Sequence, residues 1–224
     1  MCRQADRPSS CTSQCLGHFA NPLARYNIPG ELGSIDEGFR LLNFCWYTNQ
    51  DPSGLADVMT DADAIHHHTS VPAGKVRASI WARQRELAHS LFIPPYLEVI
   101  EKIASPFIHL ITDYWSPQAS FANGKVLLIG DASALMRPHI AFSTNQAAFQ
   151  CMLVEKLVKG ELSSRTWDWQ ITRFTYLHWR RSVWFGEYFQ RPLYSSLFAA
   201  VSYWAAAAVQ TARYWSGTMP QAGA

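Results

Sequence analysis

A single stretch, Gly124 to Gln150, limits the folds open to this sequence more than any other. Val126 to Ile129 is a short aliphatic run between Gly124 and the pair Gly130-Asp131. Such a run, bounded by glycines, predicts a buried strand that ends in a tight turn. Asp131 then stands at the carboxyl end of the strand, where open α/β sheets place their ligands. Pro138 keeps Arg137 out of helical conformation. Ser143 and Thr144 both suit a helix N-cap, and the helix runs through Gln146, Ala147, Ala148 and Leu153 to Gly160. The order is strand, acid, proline loop, helix start. A helix start offers free N–H groups and partial positive charge, which suits an anion or a polar ring edge.

Upstream of this stretch the signals are local. Residues 1–20 are rich in Ser, Thr and Cys with little apolar periodicity, and read as a disordered leader. Cys11 and Cys15 have no second pair at zinc spacing. Ile28 to Gly33 reads as a turn between strands, and Phe39 to Tyr47 as a half-buried aromatic strand whose apolar face is Leu42, Phe44 and Trp46. Asp51-Pro-Ser-Gly54 is expected to turn, with a short helix over Leu55 to Met59. His66, His67 and His68 are adjacent, so in a strand at most two share a face, and no carboxylate constellation in sequence supports a metal there. Val76 to Leu91 has a helical stripe at Val76, Ile80, Leu87 and Leu91. Pro94-Pro95 breaks it, and Tyr96 to Ile103 makes a second helix. Phe107 to Tyr114 reads as one strand, with His109 and Asp113 on the face of Phe107 and Ile111.

Downstream, Thr166 to Gln190 predicts a long helix with a packing stripe of Trp167, Ile171, Phe174, Leu177, Trp184 and Tyr188. Pro192 to Ala212 carries no charge and is about the length that spans a bilayer, but serines and Gln210 dilute it, so a soluble packing helix is expected. The expected class is α+β, an α/β arrangement with a mixed sheet. Its divisions are a leader over 1–20, a substrate-binding domain over 21–121, a partial cofactor segment over 122–160 and C-terminal helices over 161–224.

The 19 basic and 17 acidic side chains leave a net charge of +2, without the basic stripe that nucleic-acid binding needs. An odd set of 5 cysteines without a disulfide framework points to a reducing, cytoplasmic setting.

Gly130-Asp131-Ala132, then Pro138 and a small-residue helix start, resembles the second FAD-binding motif of the aromatic-ring flavoprotein monooxygenases. Arg137-Pro138-His139-Ile140-Ala141 is similar to the branch that hydroxylates 2,6-dihydroxypyridine at C3. Asn43 to Asn49, Ser70 to Arg77 and Pro106 to Asp113 resemble substrate-domain segments of that branch. The resemblance spans roughly residues 22–190 and implies an FAD-dependent hydroxylase of a small aromatic or hydroxypyridine-like ring. In it, NAD(P)H reduces the flavin and O2 supplies the oxygen atom; no nucleic acid or membrane partner is implied. It assigns Gly130, Asp131, Pro138, Ser143, Thr144 and Asn145 to the cofactor, His139 to catalysis, and His109 and Asp113 to the substrate.

Three departures stand beside it. Ser143 stands where relatives usually have Gly, and Gln150 where they often have Asp. No Gly-x-Gly turn for the FAD pyrophosphate occurs in the 224 residues. The chain is therefore expected to be the C-terminal half of such an enzyme. The competing expectations are a non-catalytic binding module and a membrane-attached protein.

Overall fold

The computed structural model describes residues 23–30 and 32–216. The leader expected over residues 1–20, with Cys2, Cys11 and Cys15, lies outside them. The chain divides into two compact units, one ending at Leu110 and the next beginning at Ile111.

The first unit opens with a hairpin. Strand β1, Leu23–Ile28, pairs antiparallel with β2, Leu41–Trp46, so that Leu23 faces Trp46 and Ile28 faces Leu41. The turn expected after Ile28 is there. Helix α1, Pro52–Val58, starts where a turn was expected: Asp51 caps it by accepting the Gly54 N–H at 2.6 Å, and Pro52 opens its first turn. After β3, Ser70–Val71, come α2, Ala78–Leu91, and α3, Pro94–Glu101. Pro94 and Pro95 occupy the first turn of α3, so they start a helix as well as end one. Strand β4, Ile108–His109, returns to pair with β3. Met59, Val71, Ile80, Ala88, Tyr96, Val99 and Ile100 form the buried apolar set.

The second unit contains β5, Tyr114–Trp115; β6, Ser120–Phe121; β7, Val126–Leu127; and β8, Ala134–Leu135. Three helices follow: α4, Ser143–Val158; α5, Ser164–Gln190; and α6, Leu193–Trp215. Strand β5 pairs with β8, and β6 with β7, both antiparallel. The stretch Phe107 to Tyr114 is therefore not one strand. Its two ends, β4 and β5, find different partners in different units, and the ladder breaks between them.

The class is α+β, with helix dominant. The expected mixed sheet is replaced, among the described residues, by four separate two-stranded antiparallel ladders. Only Val126 and Leu127 of the expected buried strand pair, and Val126 and Ile129 stay substantially exposed.

The core of this unit joins Ala119, Leu153, Leu162, Trp167 and Ile171, with Leu127, Leu128 and Phe149 packed against it. One Asp168 carboxylate oxygen accepts the N–H groups of Ala119 and Ser120 at 2.6 and 2.7 Å, tying the β6–β7 hairpin to α5. The Trp115 indole donates to the Thr172 carbonyl at 3.0 Å. Trp167 and Ile171 lie in the core as their spacing predicts. Further along α5 the buried positions are Thr175, Ser182 and Gly186, not Leu177, Trp184 and Tyr188. At Ser182 and Gly186 the loop carrying Arg137 packs too closely for a large side chain. Helix α4 ends as expected: Gly160 is left-handed, its N–H reaches the Leu157 carbonyl, and the Glu161 N–H reaches that of Lys156. Among the described residues no helix is long and apolar enough to cross a membrane.

Candidate functional site

The site is built around the turn Gly130–Ala132, a single turn of 3-10 helix. Gly130 has φ +58°, and a Cβ there would meet nothing within 4 Å, so the turn opens to solvent. Two glutamines one helical turn apart on the buried side of α4 hold it. Gln146 donates its amide to the carbonyls of Gly130 and Ala134, both at 2.9 Å. Gln150 accepts the Gly130 N–H and donates to the Ser133 hydroxyl at 2.9 Å, which in turn donates to the Gly130 carbonyl at 2.8 Å. Both glutamine side chains are fully buried, so these bonds satisfy backbone groups that water cannot reach. The Asp131 carboxylate is left exposed, with no hydrogen bond or ion pair among the described residues, while its carbonyl accepts the Tyr114 hydroxyl.

Next, Arg137 is extended at φ −59°, ψ 139°, as the following proline demands, and Pro138–Ile140 forms a second 3-10 turn. Ala141 is left-handed at φ 47°. The chain enters α4 from that residue with Phe142 already helical, so Phe142 is the N-cap, not Ser143 or Thr144. No side chain caps the helix. Ser143, Thr144 and Asn145 form its uncapped first turn, and Thr144 and Asn145 are exposed. Such a first turn directs N–H groups and partial positive charge outward.

Arg137 anchors the loop. Its Nε donates to Asp113 at 2.7 Å and its Nη1 to Glu187 at 3.0 Å, while its backbone N–H donates to Ser182. The second Asp113 oxygen accepts the Trp179 indole N–H at 2.7 Å, and Arg191 bridges to Glu187 at 3.2 Å. Burial works against the Arg137 charge, but hydrogen bonds to Asp113 and Glu187 outweigh it and hold the guanidinium pKa above its usual value. Gly186 explains the small-residue face of α5, because a Cβ there would lie 2.8 Å from Cδ of Arg137.

His139 stacks on Phe189 with ring centres 6.4 Å apart. Burial, then the Arg137 charge, pushes its pKa down to about 4, and a contact with Gln190 offsets this only in part. His139 is therefore neutral near pH 7. His178 has the same character, its pKa lowered to about 4 by burial and then by Arg181, with its ring 4.1 Å from that of Phe142. Sequence reading passed over His178; its only signal was the four-residue spacing from Phe174 on α5.

The structure thus brings Gly130 and Asp131 against α4, and fixes Pro138 and His139 to α5. The two residues expected at a substrate are differently placed. Asp113 has both oxygens engaged within the second unit. His109 belongs to the first unit, where it is exposed and its Nδ1 lies 2.6 Å from the Ser70 hydroxyl. The histidine triplet finds a carboxylate partner that its sequence surroundings had not suggested: His67 Nε2 lies 2.8 Å from Asp61, which also accepts the N–H groups of Asp63 and Ile65. His67 and these backbone donors hold the Asp61 pKa below the usual carboxylate range. Among the described residues no group of three or more metal-type side chains gathers.

Residues 17–113 match a family described as FAD binding domain-like. The 2,6-dihydroxypyridine 3-monooxygenase of Paenarthrobacter nicotinovorans is 34% identical over 120 residues, covering 53% of this chain and 29% of that enzyme. The solved 2,6-dihydroxypyridine-3-hydroxylase of Arthrobacter nicotinovorans superposes with a TM-score of 0.66 at 24% identity, over 76% of this chain and 44% of that one. The chain therefore spans less than half the length of either protein. Over the part that it spans, the chain is similar to these flavoprotein hydroxylases and shares their fold.

Proposed function

We propose that the second unit is the flavin-edge half of an FAD-dependent aromatic hydroxylase, acting on a small electron-rich ring of the hydroxypyridine type. The observation that carries this reading is the uncapped first turn of α4 beside an exposed, unengaged Asp131 on a clamped turn. These residues fit the polar parts of a flavin. Asp131 would accept a hydrogen bond from a ribityl hydroxyl, and the first-turn N–H groups of Ser143, Thr144 and Asn145 would face the pyrimidine edge, where negative charge gathers on reduction. Pro138 would set the loop against the ring system. When bound, the flavin supplies the redox chemistry with NAD(P)H and O2, and the protein binds, orients and shields.

The rest follows from this chain's own groups. Neutral His139 brings no positive charge to the ring it would face, and serves as an apolar wall or a weak proton acceptor. Asp113, with both oxygens engaged, acts through Arg137 by fixing the proline loop.

In the full chain, Asp131→Ala should weaken FAD binding on the order of 10- to 100-fold, the worth of one charge-assisted hydrogen bond. Flavin-fluorescence quenching measures the affinity. Because the carboxylate is exposed, the melting temperature should stay unchanged. Lost stability with unchanged affinity would make Asp131 a turn residue only. A second reading, a non-catalytic binding or interaction module, is favoured by the missing Gly-x-Gly turn for the FAD pyrophosphate. NAD(P)H oxidation with added FAD separates the two.

A further inference from the structure

The arginines are not satisfied alike. Arg137 holds two carboxylates. Arg173, half-buried on α5, holds none among the described residues, and its Nε is buried without a hydrogen-bond partner. Arg85 shares the unbonded Nε, but its Nη1 bridges to Glu101. Arg180 stacks on an aromatic ring as Arg173 does, but its Nε donates to the Tyr176 hydroxyl at 3.0 Å. Arg173 alone among the described arginines combines a buried, unbonded Nε with the lack of an acid. A charge withdrawn from water in this way calls for a counter-ion.

The surroundings add positive charge. The Arg173 guanidinium lies 4.7 Å from the centre of the Trp169 ring, one helical turn back. Gln210 of α6 donates to the Arg173 carbonyl at 3.0 Å, and Tyr203 stacks on Trp184, so α6 runs antiparallel to α5. One turn beyond Gln210, that direction brings Arg213 toward Trp169 and Arg173. Burial, then the Arg213 charge, lowers the Arg173 pKa. From Pro192 to Ala212 α6 has no acid, and the nearest acid along α5, Asp168, engages Ala119 and Ser120. The last turn of α6 lies beside the first turns of α5, so the two helix dipoles offset each other there. Arg173 therefore meets a second positive charge and no negative one among the described residues. Phe174 and His178, which pack on Phe149 and Phe142, lie on a different flank of α5, so this place is apart from the Gly130 turn.

We propose that Arg173, braced on Trp169 and with Arg213 beside it, binds a phosphate group, free or carried by a small molecule. A doubly charged oxyanion matches two guanidiniums, and its oxygens suit the parallel N–H groups of the planar fork. The Trp169 ring covers one face of that fork and holds its Nη edge in place, so little further rotamer freedom is lost on binding. Acetate has the same oxygen geometry with one charge, and serves as the weak comparison.

Calorimetric titration of the full chain with inorganic phosphate should show binding in the millimolar range or tighter, with acetate at equal ionic strength about 10-fold weaker or more. Arg173→Gln should weaken phosphate binding about 10-fold or more, the worth of a charge-assisted hydrogen bond. Arg173→Lys should recover only part of the loss, because an ammonium lacks the fork. Arg165→Gln, on the exposed first turn of α5, should leave binding unchanged. If Arg173→Gln loses helix by circular dichroism, Arg213→Gln asks the same question from α6 and should weaken binding too. Adenosine monophosphate binding more tightly than phosphate makes a nucleotide the carrier; otherwise free phosphate is the ligand. No phosphate binding, an Arg173→Gln chain that binds as the wild type does, or acetate equal to phosphate overturns the proposal. So does capture by phosphatidic acid vesicles without any response to soluble phosphate, which would make a membrane surface the ligand.

Discussion

Each unit holds an arginine–carboxylate cluster, and the two clusters differ in what surrounds them. In the first unit Asp57 sits between Arg77 and Arg83, with side chains 38%, 31% and 62% exposed. In the second, Arg137 sits between Asp113 and Glu187, with side chains 22%, 17% and 15% exposed. The first joins neighbouring surface segments. The second ties the loop ahead of α4 to α5 and to the start of the unit; Trp179 and Arg191 engage the remaining carboxylate oxygens, and Ser182 accepts the Arg137 backbone N–H. Coulomb attraction is similar in kind at both places. What differs is the solvent that would replace it: water can hydrate Asp57 if a partner leaves, and cannot easily reach Asp113.

The sharpest way to break this contrast is Arg137→Met. Asp113 would then lose its counter-ion, and Glu187 would keep only the more exposed Arg191. A loss of about 3 kcal/mol is expected, at the low end for a broken buried pair because each group keeps some solvent contact. Urea denaturation measures it, and a loss below about 1 kcal/mol would put this cluster in the surface class.

Gly186→Ala tests the same cluster from the helix side. The new methyl would lie 2.8 Å from Cδ and 2.9 Å from Nη1 of Arg137. That guanidinium is held by two carboxylates and cannot swing aside freely, so a cost of about 1–3 kcal/mol is expected. A neutral result would mean that Arg137 yields easily.

Acidification tests the second unit as a whole. His139 and His178 have native pKa values near 4 against an ordinary 6.5. Each takes up a proton on unfolding between those limits, so the stability they lend is full above about pH 6.5 and is lost as pH falls toward 4. The melting temperature should fall across that window. His178→Phe, between Phe142 and Phe174, should flatten the fall without lowering the value at pH 7. An unchanged acid profile would mean that His178 is hydrated in the native state.

The smallest effect belongs to the first unit. Asp57→Asn should lower stability only slightly, and 1 M salt should erase most of the difference. Arg77, then Arg83, holds the Asp57 pKa below the usual carboxylate range, so any loss should appear only above that range and vanish in acid. A larger, salt-independent loss would remove the distinction between the clusters.

Local chemistry in the sequence determined much of this protein. Pro138 fixed Arg137 as extended, Gly160 ended α4, Gly130-Asp131 made a turn with an exposed acid, and apolar spacing located α2, α4 and α5. Each depends on backbone sterics or helical period within a few residues, which a sequence displays directly. The tertiary structure alone decided the rest. Nothing near Gln146 and Gln150 announced that they would hold the Gly130 turn, because their partners lie 12 to 20 residues away. Asp113 read as a strand-end acid until Arg137 and Trp179 reached it across 24 and 66 residues. The far part of the α5 face went to Ser182 and Gly186 because a loop distant in sequence packs there, and the single strand Phe107 to Tyr114 split because its ends found different partners. Burial and pairing at such separations depend on which distant surfaces meet, and sequence spacing does not encode that.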